Sequence, residues 1–234
     1  MTDLCKYLAS NSYPGRGVAI GKSVDGKNAV LVYFIMGRSE NSRNRIFVET
    51  EDGIKTKAYD ESKVTDPSLI IYTPVRAYRN NIIVTNGDQT GTVFNALSSG
   101  KSFEDALRTR CYEPDQPNFT PRISGVATFS NGSLFYKLSI LKKAEDSDGC
   151  ERFFYEYENT AAGAGHIIHT YKSDGNPIPS FKGEPVTFGI NKDFDDFADD
   201  IWNALNDSNK VSLYVRSISL ENGRTKTKIY NKHE

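Results

Sequence analysis

The stretch Ala29-Val30-Leu31-Val32-Tyr33-Phe34-Ile35 carries an apolar or aromatic side chain at every position. Successive side chains on a strand point to opposite faces, so such a strand has no face to offer water and needs cover on both sides. It is far shorter than the roughly 20 residues of a membrane span, and no apolar run in the chain approaches that length. The rest of the sequence must therefore supply at least two further layers. It offers β-type runs at residues 68–75, 81–85, 122–130, 133–141, 150–158, 166–171, 211–220 and 224–231. Asn131-Gly132 and Asn222-Gly223 read as hairpin turns. Two segments read as helices. Residues 92–110 place Val93, Ala96, Leu97, Phe103, Ala106 and Leu107 at helical spacing, with Ser102 and Asp105 as a capping pair. Residues 193–205 place Phe194, Phe197, Ala198, Ile201 and Leu205 on one stripe, with Asp193, Asp195 and Asp196 in the first turn, where the dipole favours anions. Many strands and two helices predict a layered α+β domain with sheets in the middle. The polar stretch 142–149 reads as a loop between strands, so the expectation is one domain over residues 1–234.

Composition narrows the function. Lys plus Arg is 29 and Asp plus Glu is 30, a net charge of −1. A chain without a global positive field is not expected to bind nucleic acid or an acidic membrane surface. The N-terminus lacks the layout of a secretory signal. Cys5, Cys111 and Cys150 are odd in number and widely spaced, a poor disulfide or zinc framework, so a reducing cytoplasm is the expected home. His166 and His169, three apart on a strand, point to opposite faces and are read as structural, not as joint metal ligands.

Four segments could carry chemistry; one, residues 157–171, has small residues that permit close approach of a ligand or another chain, and the other three gather polar groups. Gly37-Arg38-Ser39-Glu40-Asn41-Ser42-Arg43-Asn44-Arg45 has a local charge of +2 and the forks, hydroxyls and amides that suit a phosphate or other oxyanion. A solvated basic loop has the same composition. Thr85-Asn86-Gly87-Asp88-Gln89-Thr90 lies between a strand and a helix, where free N–H groups receive anions, although capping by Asp88 or Thr90 would also explain it. It matches neither a Walker loop nor GxGxxG. The proline-rich stretch 108–122 gathers carboxylates, arginines, Asn118 and Tyr112 into an irregular loop suited to proton transfer, or to ion pairs that hold a rigid surface.

These segments, taken with Tyr13-Pro14-Gly15-Arg16-Gly17, Asp66-Pro67-Ser68-Leu69-Ile70-Ile71-Tyr72 and Asn118-Phe119-Thr120-Pro121-Arg122-Ile123, form an ordered set that resembles the archaeal-type inosine monophosphate (IMP) cyclohydrolase family, in particular its bacterial members. The resemblance covers nearly the whole chain; the extension before Tyr13 and a longer segment over residues 161–183 depart from the archaeal pattern. It implies a four-layer αββα sandwich like that of N-terminal-nucleophile hydrolases. It implies closure of 5-formamidoimidazole-4-carboxamide ribonucleotide to IMP with loss of water, the last step of purine synthesis, without a metal or organic cofactor. On that reading Arg38, Arg43 and Arg45, with Ser39 and Asn41, hold the phosphate. Glu113 or Asp115 accepts a proton, Tyr72 and Arg122 are the donors that stabilise and protonate the leaving oxygen, and Asn86, Thr90 and Asn118 read the imidazole carboxamide. Two other readings stay open: an amide hydrolase of the same fold, which needs a processed N-terminus, and a nucleotide-binding regulator without turnover. A homo-oligomer is compatible with all three.

Overall fold

The computed structural model describes residues 1–64, 67 and 70–233. Its strands are β1 (Thr2–Asp3), β2 (Arg16–Lys22), β3 (Asn28–Met36), β4 (Arg45–Thr50), β5 (Gly53–Ala58), β6 (Val75–Tyr78), β7 (Asn81–Thr85), β8 (Arg122–Ser130), β9 (Ser133–Lys143), β10 (Cys150–Tyr157), β11 (Ala164–His169), β12 (Val186–Gly189), β13 (Lys210–Ser219) and β14 (Thr225–Asn231). The helices are α1 (Leu4–Ala9), α2 (Glu40–Arg43), α3 (Gln89–Ser98), α4 (Phe103–Arg108) and α5 (Phe194–Ala204). The strands form two seven-stranded sheets, ordered β1-β12-β11-β2-β3-β13-β14 and β10-β9-β8-β7-β6-β5-β4.

The apolar β3 explains the layering. Its Leu31, Tyr33 and Ile35 join Ile54, Val84, Ile123 and Leu138 of the second sheet in one core. Its Val30, Val32, Phe34 and Met36 pack under Leu4, Leu8, Phe197 and Ile201 of α1 and α5. On the far side of the second sheet, Ile83, Val126 and Leu141 meet Val93, Ala96, Phe103 and Leu107 of α3 and α4. The two sheets therefore face each other, with a helix pair against each outer face.

Both predicted hairpins form. Asn131 and Gly132 have φ of 49° and 72°, the two positive angles that the shortest hairpin turn demands. The single helix expected over 92–110 is two. Gly100 adopts φ 77°, Lys101 N–H turns back to Ala96 O at 2.9 Å, and the chain restarts at Ser102 with the capping box formed. The expected strand over 68–75 is not found where it is described. Residues 71–74 have no regular structure and a strand starts only at Val75, while Ser68 and Leu69 lie outside the described residues. Pro74 lacks the N–H a ladder needs. Thr56 substitutes for the ladder: its hydroxyl contacts the carbonyls of Ile70 and Tyr72 at 2.8 and 3.0 Å and the Tyr72 N–H at 2.8 Å. The basic segment expected as a loop contains one helical turn, Glu40–Arg43, capped by the Ser39 hydroxyl on Ser42 N–H at 3.1 Å. Helix α1 and strands β2, β4, β5 and β12 have no counterpart among the predicted elements.

Candidate active site

The start of β2, the start of β4, the end of β7 and the start of β8 meet at one end of the sandwich. Gly17 pairs with Phe34 and His169 there, and Thr85 pairs with Ser124. The side chains delivered to this end are charged although buried. Arg16, Arg45, Glu113 and Arg122 are all at most 9% exposed. Tyr33, rising from the middle of β3, places its hydroxyl 2.7 Å from that of Tyr72.

Arg45 is the least compensated group. It is fully buried, and its Nε donates to Ser42 O at 2.8 Å, but Nη1 and Nη2 have no partner. Burial, with the neighbouring Arg16 charge, pulls its guanidinium below the ordinary arginine range. Arg16 also has an unpartnered buried Nε. Burial opposes its charge most strongly, yet Glu113 together with Tyr171, Tyr72 and Tyr13 outweighs it and holds Arg16 well above its usual value. Glu113 feels the converse: burial pushes its carboxyl up, and Arg16 and then Arg122 oppose that rise without cancelling it. The result is a carboxyl that takes a proton more readily than a surface glutamate does, set among the guanidiniums of Arg16, Arg122 and Arg45.

The surrounding groups hold this cluster in place. Arg122 Nη1 donates to Asp88 Oδ1 at 2.8 Å and Gln89 Oε1 at 2.7 Å, and stands 4.0 Å from Glu113 Oε1. Asp88 is gripped from its other side by Arg110 at 2.6 Å. Burial would raise Asp88, but Arg110 and Arg122 keep it below the usual carboxylate range. Gly87 lies against this pair: a Cβ there would come within 2.8 Å of Arg122 Nη1 and 3.4 Å of Glu113 Oε1. Tyr171 donates its phenol to Thr120 Oγ1 at 2.5 Å, because the single Thr120 hydroxyl proton goes to the Asp115 carboxylate. Tyr13 stacks on Tyr171 with ring centroids 5.7 Å apart. Arg38 lies over the Tyr13 ring at 5.1 Å and pairs with Asp174 at the half-exposed rim.

The sequence-predicted residues thus separate by place. Tyr72, Glu113, Arg122 and Arg45 converge in the buried cluster, and Arg38 stands at its mouth. The Asp115 carboxylate is occupied by the N–H and hydroxyl of Thr120. Asn86 is bonded at both ends of its amide, to Pro121 O at 2.9 Å and from Ile123 N–H at 2.9 Å. Thr90 bonds Thr85 Oγ1 and Gly87 O at 2.7 and 3.1 Å. Asn118 Oδ1 receives the Ile178 N–H at 3.1 Å. Ser39 caps α2. Arg43 reaches Gly37 O at 2.9 Å and Asn209 at 3.3 Å, and Asn41 buries an unpartnered Oδ1.

Sequence reasoning did not single out Arg16, Tyr33, Thr120, Tyr13 or Tyr171. The available signal was an arginine flanked by two glycines in Tyr13-Pro14-Gly15-Arg16-Gly17. Gly15 has φ 79°, and a Cβ there would strike Thr170 and the Tyr171 ring, so this turn aims Arg16 inward only while Gly15 stays glycine. Both strand histidines are structural, as predicted. His166 Nδ1 bonds the Tyr136 hydroxyl at 2.5 Å, and His169 lies between Tyr7 and Tyr171 O. Among the described residues no group of three or more His, Cys, Asp or Glu is placed to hold a metal, and no helix is long and apolar enough to cross a membrane.

Three buried guanidiniums, a buried carboxyl whose pKa is raised and a pair of hydrogen-bonded phenols thus lie together at this end of the sandwich. The model of the family described as IMP cyclohydrolase-like protein matches residues 13–223, and the chain belongs to that family. It is similar to the IMP cyclohydrolase of Methanopyrus kandleri, 27% identical over 164 residues that cover 68% of this chain and 75% of the relative. It is also similar to that of Methanothrix thermoacetophila, 30% identical over 155 residues covering 63% and 75%, and to that of Methanococcus aeolicus, 27% identical over 153 residues covering 62% and 74%.

Proposed function

We propose that this chain is an IMP cyclohydrolase, closing 5-formamidoimidazole-4-carboxamide ribonucleotide to IMP as the last step of purine synthesis. The observation that carries this reading is Arg45, whose two terminal nitrogens are buried without a partner beside the Tyr33–Tyr72 pair. A buried cation left unpaired costs free energy that a substrate oxygen bearing negative charge would recover.

In the reaction the carboxamide nitrogen bonds the formyl carbon of the same molecule. The carboxamide and the formamide nitrogen each lose one proton, and both protons leave on the former formyl oxygen as water. Because both partners are in one molecule, holding the formamide in its reactive rotamer contributes an effective molarity of about 10⁵ M or more. Glu113 accepts the carboxamide proton, a role its raised pKa suits. Arg45 and Tyr72 face the formyl oxygen as it gains negative charge, and the Tyr72 phenol, backed by Tyr33, protonates it on departure. Arg16 keeps Glu113 charged enough to act. Arg38 takes the 5′-phosphate at the rim, where a dianion keeps part of its hydration. Ser39, Asn41 and Arg43 shape the turn beneath it. Arg122, Asp115, Asn86, Thr90 and Asn118 hold the loops that frame the base.

The reading includes a four-layer fold like that of N-terminal-nucleophile hydrolases, with residues 1–234 acting as one domain; the two facing sheets with helices on their outer faces support it. The amide-hydrolase chemistry of that fold is disfavoured here. Cys5 sits inside α1, and burial pushes its thiol up to about 11, the reverse of an activated nucleophile. Following IMP formation by absorbance with purified protein and the formylated ribonucleotide tests the proposal. Turnover that Glu113→Gln abolishes is expected; a folded wild-type protein without turnover overturns it.

A further inference from the structure

Seven-stranded sheets have edges, and three of the four here are blunted. β1 is two residues long. β14 carries Lys226 and Lys228, paired with Asp195 and Asp199. β4 is bonded by the Asn231 amide at both Phe47 N–H and Phe47 C=O, at 2.8 and 3.1 Å. Short, lysine-bearing or covered edges are the usual guards against strand addition. The fourth edge, β10, is eight residues of Cys150-Glu151-Arg152-Phe153-Phe154-Tyr155-Glu156-Tyr157, without proline or bulge, and Phe153 is 37% exposed.

The hydrogen-bonding parity of β10 follows from the hairpin beside it. The two-residue turn at Asn131-Gly132 makes Ser130 and Ser133 a hydrogen-bonded pair. Bonds then alternate along β9, so Tyr136, Leu138, Ile140 and Lys142 bond to β10, opposite Tyr157, Tyr155, Phe153 and Glu151. The backbone N–H and C=O groups of Cys150, Arg152, Phe154 and Glu156 therefore point outward. No backbone of the described residues meets them; the Cys150 carbonyl takes only the Arg152 guanidinium of its own strand at 3.3 Å.

We propose that two copies of this chain associate through β10, antiparallel about a two-fold axis at Phe154, joining their second sheets into one continuous sheet. A two-fold axis at Phe154 sets Arg152 of each copy opposite Glu156 of the other, twice, with the outward N–H and C=O groups of the two strands facing each other. Centring on Arg152 would oppose two like charges, and centring on Glu156 would do the same. Centring on Phe153 or Tyr155 keeps the same parity but takes Glu156 away from Arg152, so charge favours the Phe154 register for a self-complementary contact. On the same strands Phe153 falls opposite Tyr155 of the second copy, which covers the exposed ring. The association is independent of the proposed chemistry: none of these residues belongs to the site.

Size-exclusion chromatography with light scattering, and sedimentation equilibrium, test it at about 10–100 µM protein. The wild type is expected at twice the monomer mass. Arg152→Glu and Glu156→Arg each place like charges across the seam, so each is expected to weaken association at least about tenfold. The double variant, which re-creates the pairing with signs exchanged, is expected to restore it. Circular dichroism establishes that each variant is folded, since Glu156 also bonds Lys137 at 2.9 Å. Hydrogen exchange is expected to protect the amides of Arg152, Phe154 and Glu156 at high concentration and release them on dilution. A monomeric wild type, association unchanged by either single variant, a folded double variant that stays dissociated, or amides in β10 that exchange freely in the oligomer would each overturn the proposal.

Discussion

Glu113 and Arg45 are adjacent, buried and opposite in their consequences. Glu113→Gln removes the proposed base while keeping shape, so kcat is expected to fall by about 10²-fold or more with the circular dichroism spectrum unchanged. In the wild type, kcat/KM is expected to rise with pH through a Glu113 pKa above the ordinary 4.5, because burial favours the neutral acid and the neutral acid cannot accept the proton. A pH profile flat from pH 4.5 to 8 would remove Glu113 from that role. Arg45 has the other signature. Its terminal nitrogens are buried and unpartnered, so Arg45→Met is expected to stabilise the ligand-free protein, by about 1–3 kcal/mol, while lowering kcat. A variant both inactive and less stable in urea titration would show instead that Arg45 holds the fold. Neither property was legible in the segment Gly37–Arg45 read as sequence. It showed three arginines and a +2 charge, but which one is inside depends on α2, which leaves Arg43 on Gly37 O and hands Arg45 to the first position of β4.

At the scale of elements, β11 and the segment behind Tyr171 respond to acid. His169 Nδ1 lies 2.8 Å from Tyr171 O, which only accepts, so Nδ1 carries the proton and Nε2 accepts from the Tyr7 hydroxyl at 2.6 Å. Burial lowers its pKa to about 4 from 6.5. The unfolded chain therefore binds this proton more readily than the folded one, so stability is complete above about pH 6.5 and declines as pH falls toward 4, by about 3 kcal/mol in all. Subtracting the pH–stability curve of His169→Gln from that of the wild type isolates this contribution; parallel curves would refute it. The turn before β2 is as exacting. Gly15→Ala is expected to destabilise by about 1–3 kcal/mol and to raise KM, since both its left-handed φ and the contact with Tyr171 forbid a Cβ. Period and turn chemistry made β3, β7, β8 and both hairpins readable from sequence. They did not make β4 and β5 readable, because those strands carry polar residues toward solvent and are specified by the sheet they join. The broken helix at Gly100 was half visible: its restart at Ser102 was read, its stop was not.

For the whole molecule, a site with surplus buried cations is stabilised by any anion that fits it. IMP at about 100-fold its dissociation constant is expected to add about 2.7 kcal/mol of unfolding free energy, a rise of about 5–10 °C in Tm for a chain of this length. Differential scanning calorimetry with IMP and with inosine separates the contribution of the phosphate. Arg38→Met is expected to lose that difference while retaining kcat, because Arg38 stands at the rim and not beside Tyr72. An equal Tm rise with IMP and inosine would detach the phosphate from this site. What the sequence determined unaided is local: an apolar β3 that demands two covered faces, hairpins at Asn131-Gly132 and Asn222-Gly223, a capped start for α4, and near-neutral charge with one basic segment. The tertiary structure alone decided which polar groups are withheld from one another. Asn86, Thr90 and Asp115 spend their polar groups on hydrogen bonds within the protein, whereas both terminal nitrogens of Arg45 are left without a partner. That distinction depends on distances among residues far apart in the chain, such as Arg16, Arg45 and Glu113, which meet only when two sheets close over them.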